Sequence, residues 1–281
     1  MAGQINMVIN NMNPIEKYNK RAKEINSLLC VGLDADFDKL PEQYKNLGGS
    51  EAQFEFNKYI IDATHLYASA FKPNVAFYEA RGIDGMEALK KTIDYINEKY
   101  PDIFTILDAK RADIGNTNNG YVTSIFNWLG FDAVTVNPYL GSEAIKPFLD
   151  RTDKCSIILA KTSNSGAGEF QDCVLENKEI FWQYVTKKVS GEWNKNNNLM
   201  IVMGATVPDD IGIARKITGE MTFLVPGIGA QGGDLKNTIE KGLNKEKLGL
   251  IINSSRGIIF SENPREEAKK LRDEINNYRN K

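Results

Sequence analysis

Short apolar runs alternate with amphipathic segments along most of this 281-residue chain. The runs are rich in Leu, Ile and Val and have the length of buried strands, whereas the segments between them repeat with the period of a helix. The predicted strands are residues 28–33, 69–74, 104–110, 133–137, 156–161, 199–204, 222–226 and 248–253. The predicted helices are residues 51–67, 85–99, 114–129, 142–149, 178–193, 209–216, 234–241 and 265–277.

Eight strands interleaved with helices predict an α/β protein with the (β/α)₈ architecture of a TIM barrel. Runs such as 157–160 are continuously apolar, as expected for strands that are covered on both faces. A further helix over residues 14–26 is expected to close the N-terminal mouth of the barrel, after a polar extension over residues 1–13. Because nothing resembles a linker, residues 1–281 are expected to form a single domain. The alternative is an open, doubly wound sheet.

Polar residues lie where the predicted strands end, which is where barrels of this kind carry their chemistry. Asp34 follows the first strand, and the second contains Lys72 and ends at Asn74. The fifth strand ends in the sequence Lys-Thr-Ser-Asn over residues 161–164. These side chains are therefore expected to share one end of the barrel.

The end of the third strand carries the most informative sequence, Asp-Ala-Lys-Arg-Ala-Asp-Ile-Gly over residues 108–115. Side chains alternate along a regular strand, so Asp108 and Lys110 are expected to face one cavity and Ala109 the other side. Asp113 then opens the next predicted helix. This grouping predicts a reaction centre, and the alternative is a strand end with solvated charges and an Asp cap.

Two loops near the end of the chain have the features of a phosphate site. The seventh strand leads into Pro-Gly-Ile-Gly-Ala-Gln-Gly-Gly over residues 226–233, and the eighth into Asn-Ser-Ser-Arg-Gly over residues 253–257. Such loops offer backbone N–H groups, an amide and a guanidinium at the usual phosphate position of a barrel. The alternative is a pair of glycine-rich turns with one surface arginine.

Composition narrows the possible partners and the compartment. With 35 basic and 37 acidic residues, the net charge is −2, and the scattered basic residues do not support a nucleic acid partner. Cys30, Cys155 and Cys173 are odd in number and widely spaced, which predicts buried thiols in a reducing compartment. No apolar run approaches a membrane span, so a cytoplasmic protein without a membrane partner is expected.

The single histidine, His65, lies within a predicted helix and away from every strand end. Histidine-based triads and histidine-ligated metal sites are therefore disfavoured. Acid–base chemistry in this chain is expected to depend on lysine and aspartate.

Taken together, these residues resemble the orotidine 5′-phosphate decarboxylase family, in particular its subfamily with the signature Asp-Ala-Lys-Arg-x-Asp-Ile-Gly. The likeness extends over about residues 26–262 and includes Phe-Lys-Pro-Asn at 71–74 and the motifs at 107–117, 159–164, 225–232 and 253–257. The resemblance implies decarboxylation of orotidine 5′-phosphate to uridine 5′-phosphate in pyrimidine biosynthesis, with neither a cofactor nor a metal.

The resemblance also implies a homodimer with shared active sites. Its catalytic tetrad would be Lys72, Asp108 and Lys110 from one subunit and Asp113 from the other, with Lys110 as the proton donor. Asp34 and Asn74 would hold the ribose, joined by Thr117 from the partner subunit. Ser163, or its neighbour Thr162, would hydrogen-bond the pyrimidine. The remaining implied contacts are Pro226 near the ring and Gln231, Ser255 and Arg256 at the phosphate.

Two other functions fit parts of this pattern. Sugar-phosphate aldolase-like barrels share an Asp-x-Lys-x-x-Asp stretch, but they bind Mg²⁺ and usually carry an acidic ligand where Lys72 stands here. The other alternative is a catalytically inert phosphate-binding barrel, which would need a disrupted tetrad. Residues 165–176 and 227–233 contain glycines and are candidate lids over the site.

Overall fold

The computed structural model describes residues 12–229 and 232–280. Within these ranges eight parallel strands each pair with the next, and the eighth pairs with the first, which closes the barrel. The strands are β1 (Leu29–Gly32), β2 (Ala70–Lys72), β3 (Phe104–Arg111), β4 (Ala133–Val136), β5 (Cys155–Lys161), β6 (Leu199–Met203), β7 (Phe223–Val225) and β8 (Leu250–Ser254). The predicted TIM barrel is therefore confirmed, and the open sheet is excluded.

Helices follow the strands around the outside of the barrel. In the described part of the chain, no helix combines the length and apolar character needed to cross a membrane. The α-helices are Pro14–Glu24, Glu42–Lys45, Glu51–Thr64, Ala76–Glu79, Gly82–Lys99, Gly115–Val122, Gly141–Ala144, Lys146–Leu149, Gly168–Gln171, Phe181–Lys188, Pro208–Thr218, Leu235–Gly242, Arg256–Ile259 and Pro264–Arg279. Short 3₁₀ helices span Phe37–Lys39 and Ser165–Ala167, and π-helices span Thr123–Leu129 and Val189–Trp193.

Three predicted helices differ from the structure, and one of them, residues 178–193, changes from an α-helix over Phe181–Lys188 to a π-helix over Val189–Trp193. The segment 142–149 is two short helices, because Pro147 has no N–H to donate and its ring disfavours a continuous turn with the carbonyl of Glu143. The segment 114–129 begins as an α-helix but continues as a π-helix from Thr123 and ends at Gly130, which has a φ of 88°. Backbone hydrogen bonding thus changes within segments whose apolar period looked uniform.

The N-terminal helix Pro14–Glu24, called α1 below, covers the N-terminal mouth of the barrel as predicted. The Tyr18 hydroxyl donates a hydrogen bond of 2.5 Å to the carbonyl of Leu250, the first residue of β8. Its ring meets that of Phe104, the first residue of β3, edge-on at 5.8 Å. Since both partners begin strands, α1 closes the end of the barrel opposite the strand C-termini.

The strands form the centre of one continuous apolar core. Cys30 and Cys155 lie within it and are fully buried, as predicted, and burial raises the pKa of the Cys30 thiol to about 12. The prediction of a buried thiol is wrong for Cys173, which is exposed after the short helix Gly168–Gln171. His65 follows a helix and stacks on Tyr100 at 4.5 Å, away from the strand C-termini, as predicted.

Candidate active site

A cavity of about 300 Å³ opens at the C-terminal end of the barrel. Nine of the twelve predicted site residues line it, although they come from six different stretches of the chain. These nine are Asp34, Lys72, Asn74, Asp108, Lys110, Ser163, Pro226, Ser255 and Arg256. The strand-end pattern therefore located one shared cavity.

Three predicted residues lie elsewhere. Gln231 is outside the described residues. Asp113 and Thr117 do not line the cavity of their own chain. The Asp113 carboxylate accepts a 2.7 Å hydrogen bond from the N–H of Ile114, and Thr117 is exposed on the helix Gly115–Val122. A contribution from these two residues to catalysis would have to come from another copy of the chain.

Asp108 lies between two ammonium groups. Its Oδ2 atom is 3.1 Å from Lys72 Nζ, and its Oδ1 atom is 2.6 Å from Lys110 Nζ. The Lys72 side chain is only 4 % exposed, whereas that of Lys110 is 49 % exposed at the cavity mouth. One lysine is thus embedded in the barrel and the other can face a ligand.

This arrangement keeps the central charges ionised. Burial raises the pKa of Asp108, but the attraction of Lys72 and Lys110 outweighs it and holds that pKa well below its ordinary value. Burial lowers the pKa of Lys72, but the nearby Asp108 and Asp34 carboxylates outweigh it and raise that pKa above its usual range. At neutral pH the pair is therefore a carboxylate and an ammonium.

The end of β3 is not a regular strand. Leu107 pairs with Val134 and Arg111 with Val136, so four steps along β3 match two along β4. Lys110 also has a φ of 47°, in the left-handed region that non-glycine residues rarely adopt. The prediction that Asp108 and Lys110 face one cavity is therefore correct, but regular alternation along the strand does not explain it. A bulge brings them into the cavity, and the predicted outcome stands.

The cavity wall also contains residues that sequence reasoning missed. Thr135 of β4 is 1 % exposed, and its hydroxyl donates a 3.0 Å hydrogen bond to Asp108 Oδ1. Asn253 of β8 is 7 % exposed and also lines the cavity. For Thr135 the available signal was an isolated polar residue within a buried strand, because such a group needs a partner. Asn253 instead begins the polar run 253–257 that predicts a phosphate site.

Unsatisfied acceptors mark the side of the cavity between β1 and β8. Asp34 Oδ1 and Asn253 Oδ1 are both buried without a hydrogen-bond partner among the described residues. Gly32 is required nearby, since a Cβ atom there would lie 1.8 Å from Ser255 Oγ. Buried acceptors that lack donors suit a ligand that brings hydroxyl groups.

The glycine-rich loop after β7 and the loop after β8 form the adjacent part of the cavity wall. Gly227 and Gly229 have φ values of 103° and 83°, and the N–H of Gly233 donates a 3.1 Å hydrogen bond to the Gly227 carbonyl. Arg256 is exposed and forms no ion pair with any carboxylate in the described ranges. Its guanidinium is therefore available to an anionic ligand.

The strand end that carries Ser163 is tied to the segment that follows it. Thr162 Oγ1 donates to Asn164 Oδ1 at 2.7 Å and accepts from Gln171 Nε2 at 2.9 Å, and Lys161 forms an ion pair with Asp172. Thr162 and Ser163 both line the cavity. The Thr162 hydroxyl, however, is already used to fasten this neighbouring segment.

The side chains of the cavity are poorly suited to binding a metal ion. Across residues 12–229 and 232–280, no three His, Cys, Asp or Glu side chains are grouped so that they could hold a metal. Instead, the ammonium groups of Lys72 and Lys110 lie beside Asp108, and their positive charge disfavours a metal cation there.

Comparison with known proteins agrees with this geometry. The chain belongs to the orotidine 5′-phosphate decarboxylase / HUMPS family, whose model matches residues 27–271. An orotidine 5′-phosphate decarboxylase of Christiangramia forsetii is 50% identical over 235 residues, which cover 84% of this chain and 85% of that protein. One from Flavobacterium johnsoniae is 48% identical over 256 residues, covering 89% and 92%.

Solved structures give the same result for the fold. The structure of Leishmania donovani OMP decarboxylase superposes with a TM-score of 0.87 at 38% sequence identity. The match covers 96% of this chain and 100% of that one. The likeness therefore extends over the whole barrel and is not confined to the loops around the cavity.

Proposed function

We propose that this protein decarboxylates orotidine 5′-phosphate to uridine 5′-phosphate, a step of pyrimidine biosynthesis. The observation that carries the proposal is the Lys72–Asp108–Lys110 array, which lies in one cavity with the loops suited to phosphate. Membership of the family, together with the names of the relatives, supports the same reaction.

The carboxylate of orotidine 5′-phosphate is attached to C6 of the pyrimidine ring. Its removal needs a cation beside that carbon. When the bond from C6 to the carboxylate breaks, CO₂ leaves and the electron pair remains on an sp² ring carbon. The Lys110 ammonium stabilises this charge and then transfers a proton to C6, and the lysine regains a proton from solvent. The atoms and charges balance, and the electron pair left on C6 is taken up by the proton from Lys110.

Lys110 must enter this step protonated, and its surroundings favour that state. Asp108 lies 2.6 Å from its ammonium and is itself held ionised by Lys72. A carboxylate this close stabilises the charged form of a lysine. Lys72 in turn offsets the negative charge of Asp108 inside the barrel, where an unpaired charge would be costly.

The rest of the nucleotide would be held by the remaining predicted contacts. Arg256 and Ser255 would bind the phosphate together with Gln231, while Asp34 and Asn74 would accept and donate hydrogen bonds at the ribose. Pro226 would pack near the pyrimidine, and Ser163 would hydrogen-bond it. Binding energy from the phosphate, far from the scissile bond, would help to hold residues 165–176 over the site. The other candidate lid, 227–233, lies partly outside the described residues.

We also propose a homodimer in which Asp113 and Thr117 complete the site of the other subunit. Exposed apolar side chains support such an interface: Ile114, next to Asp113, is 62 % exposed, and Tyr139, in the segment after β4, is 78 % exposed. Apolar surface of this kind is usually covered by a partner. A second copy would cover it and add a fourth charged group to the Lys72–Asp108–Lys110 array.

A cytoplasmic location without membrane or nucleic acid partners remains part of the proposal. The three cysteines are unpaired thiols, which suits a reducing compartment. The net charge of −2 gives no general attraction for a polyanion.

The direct test is the loss of orotidine 5′-phosphate absorbance on incubation with the purified protein, with and without EDTA. We expect decarboxylation at the same rate in both samples. Activity that EDTA abolishes and Mg²⁺ restores would favour the metal-dependent aldolase-like relatives. A protein that binds the nucleotide without turning it over would be the inert phosphate-binding barrel.

Mixing two inactive variants tests the shared site. Lys110→Ala and Asp113→Ala subunits, unfolded together and refolded, form hybrid dimers in which one site holds both substitutions and the other holds neither. Random assembly makes half of the dimers hybrid, so about one quarter of the wild-type activity should return. If the mixture stays as inactive as its components although hybrids form, Asp113 does not act across the interface.

A further inference from the structure

One buried hydroxyl connects the bulge in β3 to the charged array. Thr135 lies in β4, directly beside the irregular end of β3. Its Oγ1 atom accepts hydrogen bonds from the N–H groups of Ala109 at 3.0 Å and Lys110 at 2.9 Å. It donates one of 3.0 Å to Asp108 Oδ1, so the hydroxyl contacts three consecutive residues of β3.

These contacts fix the direction of the hydroxyl proton. A threonine hydroxyl has one proton and two lone pairs. Because two backbone N–H groups use both lone pairs, the proton must point to Asp108. The carboxylate therefore has a fixed donor on the Oδ1 atom that it also presents to Lys110 Nζ.

The same hydroxyl satisfies backbone groups that the bulge removes from regular pairing. Between Leu107 and Arg111 the register with β4 shifts, so the N–H groups of Ala109 and Lys110 need other acceptors. Lys110 moreover holds its left-handed φ of 47°, which persists only where the surroundings enforce it. Thr135 supplies that enforcement from a position that is itself 1 % exposed.

We propose that Thr135 is a positioning residue, whose hydroxyl holds the β3 bulge and sets the Asp108 carboxylate between the two lysine ammonium groups. This inference rests on the proposed function, because it assigns to Thr135 the geometry of the array that would perform the decarboxylation. Thr135 lines the cavity wall, but its role acts through Asp108 and Lys110.

The test replaces the hydroxyl while keeping the branched shape. Thr135→Val should lower kcat for orotidine 5′-phosphate about 10- to 100-fold, as expected for losing a hydrogen bond to a charged group. KM should change little, because the hydroxyl contacts neither the phosphate loops nor Asp34. Thr135→Ser, which keeps the hydroxyl, should recover most of the wild-type kcat. If valine disturbs folding, Thr135→Ala removes the same group and should show the same loss.

Thr105 of β3 provides the matched control. It is also fully buried, and its hydroxyl accepts from the Asp132 N–H and donates to Asp132 Oδ2, both at 3.1 Å, at the opposite end of the barrel. Thr105→Val should lower the melting temperature to a similar extent and leave kcat near the wild-type value. Equal losses of kcat in the two valine variants would reduce Thr135 to a structural role and overturn the proposal, as would an unchanged kcat in Thr135→Val.

The wild-type measurement separates this proposal from the proposed function. A wild-type protein that does not decarboxylate the nucleotide refutes the proposed function. The positioning role of Thr135 is then tested by the crystal structure of Thr135→Val. The claim predicts a displaced Lys110 backbone and a longer separation between Asp108 and Lys110 Nζ in that structure. An undisturbed bulge would refute it whatever the reaction is.

Discussion

The two ends of the barrel each contain a buried lysine–aspartate pair beside a threonine. At one end the protein supplies all the partners of the pair, whereas at the other end the pair opens onto the cavity. At the N-terminal end, Lys17 Nζ lies 2.7 Å from Asp132 Oδ2. The same oxygen accepts from the N–H of Thr105 at 2.9 Å and from its hydroxyl at 3.1 Å. Helix α1 carries Lys17 and covers this end, so protein groups complete the arrangement.

At the C-terminal end, the corresponding group opens onto the cavity. Lys72 and Thr135 hold Asp108 from within the barrel, but Lys110 is half exposed. Asp34 Oδ1 and Asn253 Oδ1 have no partner in the part of the chain that the structure describes. A buried charge pair alone therefore does not indicate a functional site. The C-terminal end is the candidate site because it combines such a pair with buried acceptors that a ligand could satisfy.

Removal of Lys110 should give the largest effect. Lys110→Ala deletes the proposed proton donor and the cation proposed to lie beside C6, so kcat should fall by at least about 10³-fold. The free energy of unfolding should change little, because the side chain is half exposed and such pairs contribute weakly to stability. Decarboxylation rates and urea unfolding of the same preparation check both statements. A variant that is much less stable than wild type but keeps the wild-type kcat would contradict our assignment of the two ends.

Removal of Lys17 should give the opposite pattern. Lys17→Ala removes the ammonium paired with Asp132 in a site where the Lys17 side chain is only 10% exposed, and leaves Lys154 and the Thr105 donors as the remaining partners of that carboxylate. The free energy of unfolding should fall by about 3 kcal/mol, while kcat at 25 °C stays near the wild-type value. Urea unfolding followed by circular dichroism measures the loss. A large fall in kcat without loss of stability would contradict the separation between the two ends.

A smaller effect is expected at the phosphate loops. Arg256→Ala removes an unpaired guanidinium from the cavity wall and should lower kcat/KM about 10- to 100-fold, mostly through KM. Arg265→Ala is a matched control, because that arginine is also exposed but lies at the start of the last helix. Steady-state kinetics of both variants provide the measurement. Equal kcat/KM values for the two variants would remove Arg256 from the site.

The smallest effect concerns the pH dependence of stability. The pKa of Asp108 in the folded protein lies below the ordinary value of about 3.9, so the unfolded chain takes up its proton first as the pH falls. The stabilisation from this ionised group is therefore present above about pH 4 and is lost progressively below it. Urea unfolding should show wild type more stable than Asp108→Asn at neutral pH, with a difference that narrows in acid. A constant difference would contradict the lowered pKa.

Much of this site could be predicted from the sequence because strand ends follow simple rules. Asp34, Lys72, Asn74 and Asp108 each lie at or just beyond an apolar run, and parallel strands bring such positions to one end of a barrel. The order of the runs along the chain was enough to predict their meeting in one cavity.

The local geometry could not be predicted in the same way. The bulge at Lys110 depends on the register between β3 and β4, and the role of Thr135 depends on that bulge. The spacing of apolar residues within one segment predicts neither its register with the neighbouring strand nor the hydrogen bonds between the two strands. The placement of Asp113 depends on a second copy of the chain and stays a prediction.

The most direct measurement is a crystal structure of this protein with uridine 5′-phosphate bound. We predict the phosphate on Arg256 and the glycine-rich loop, ribose hydroxyls on Asp34, and Lys110 Nζ within about 3 to 3.5 Å of C6. A nucleotide bound with C6 turned away from Lys110, or with its phosphate outside these loops, would contradict the central claim that this ammonium serves the reacting carbon.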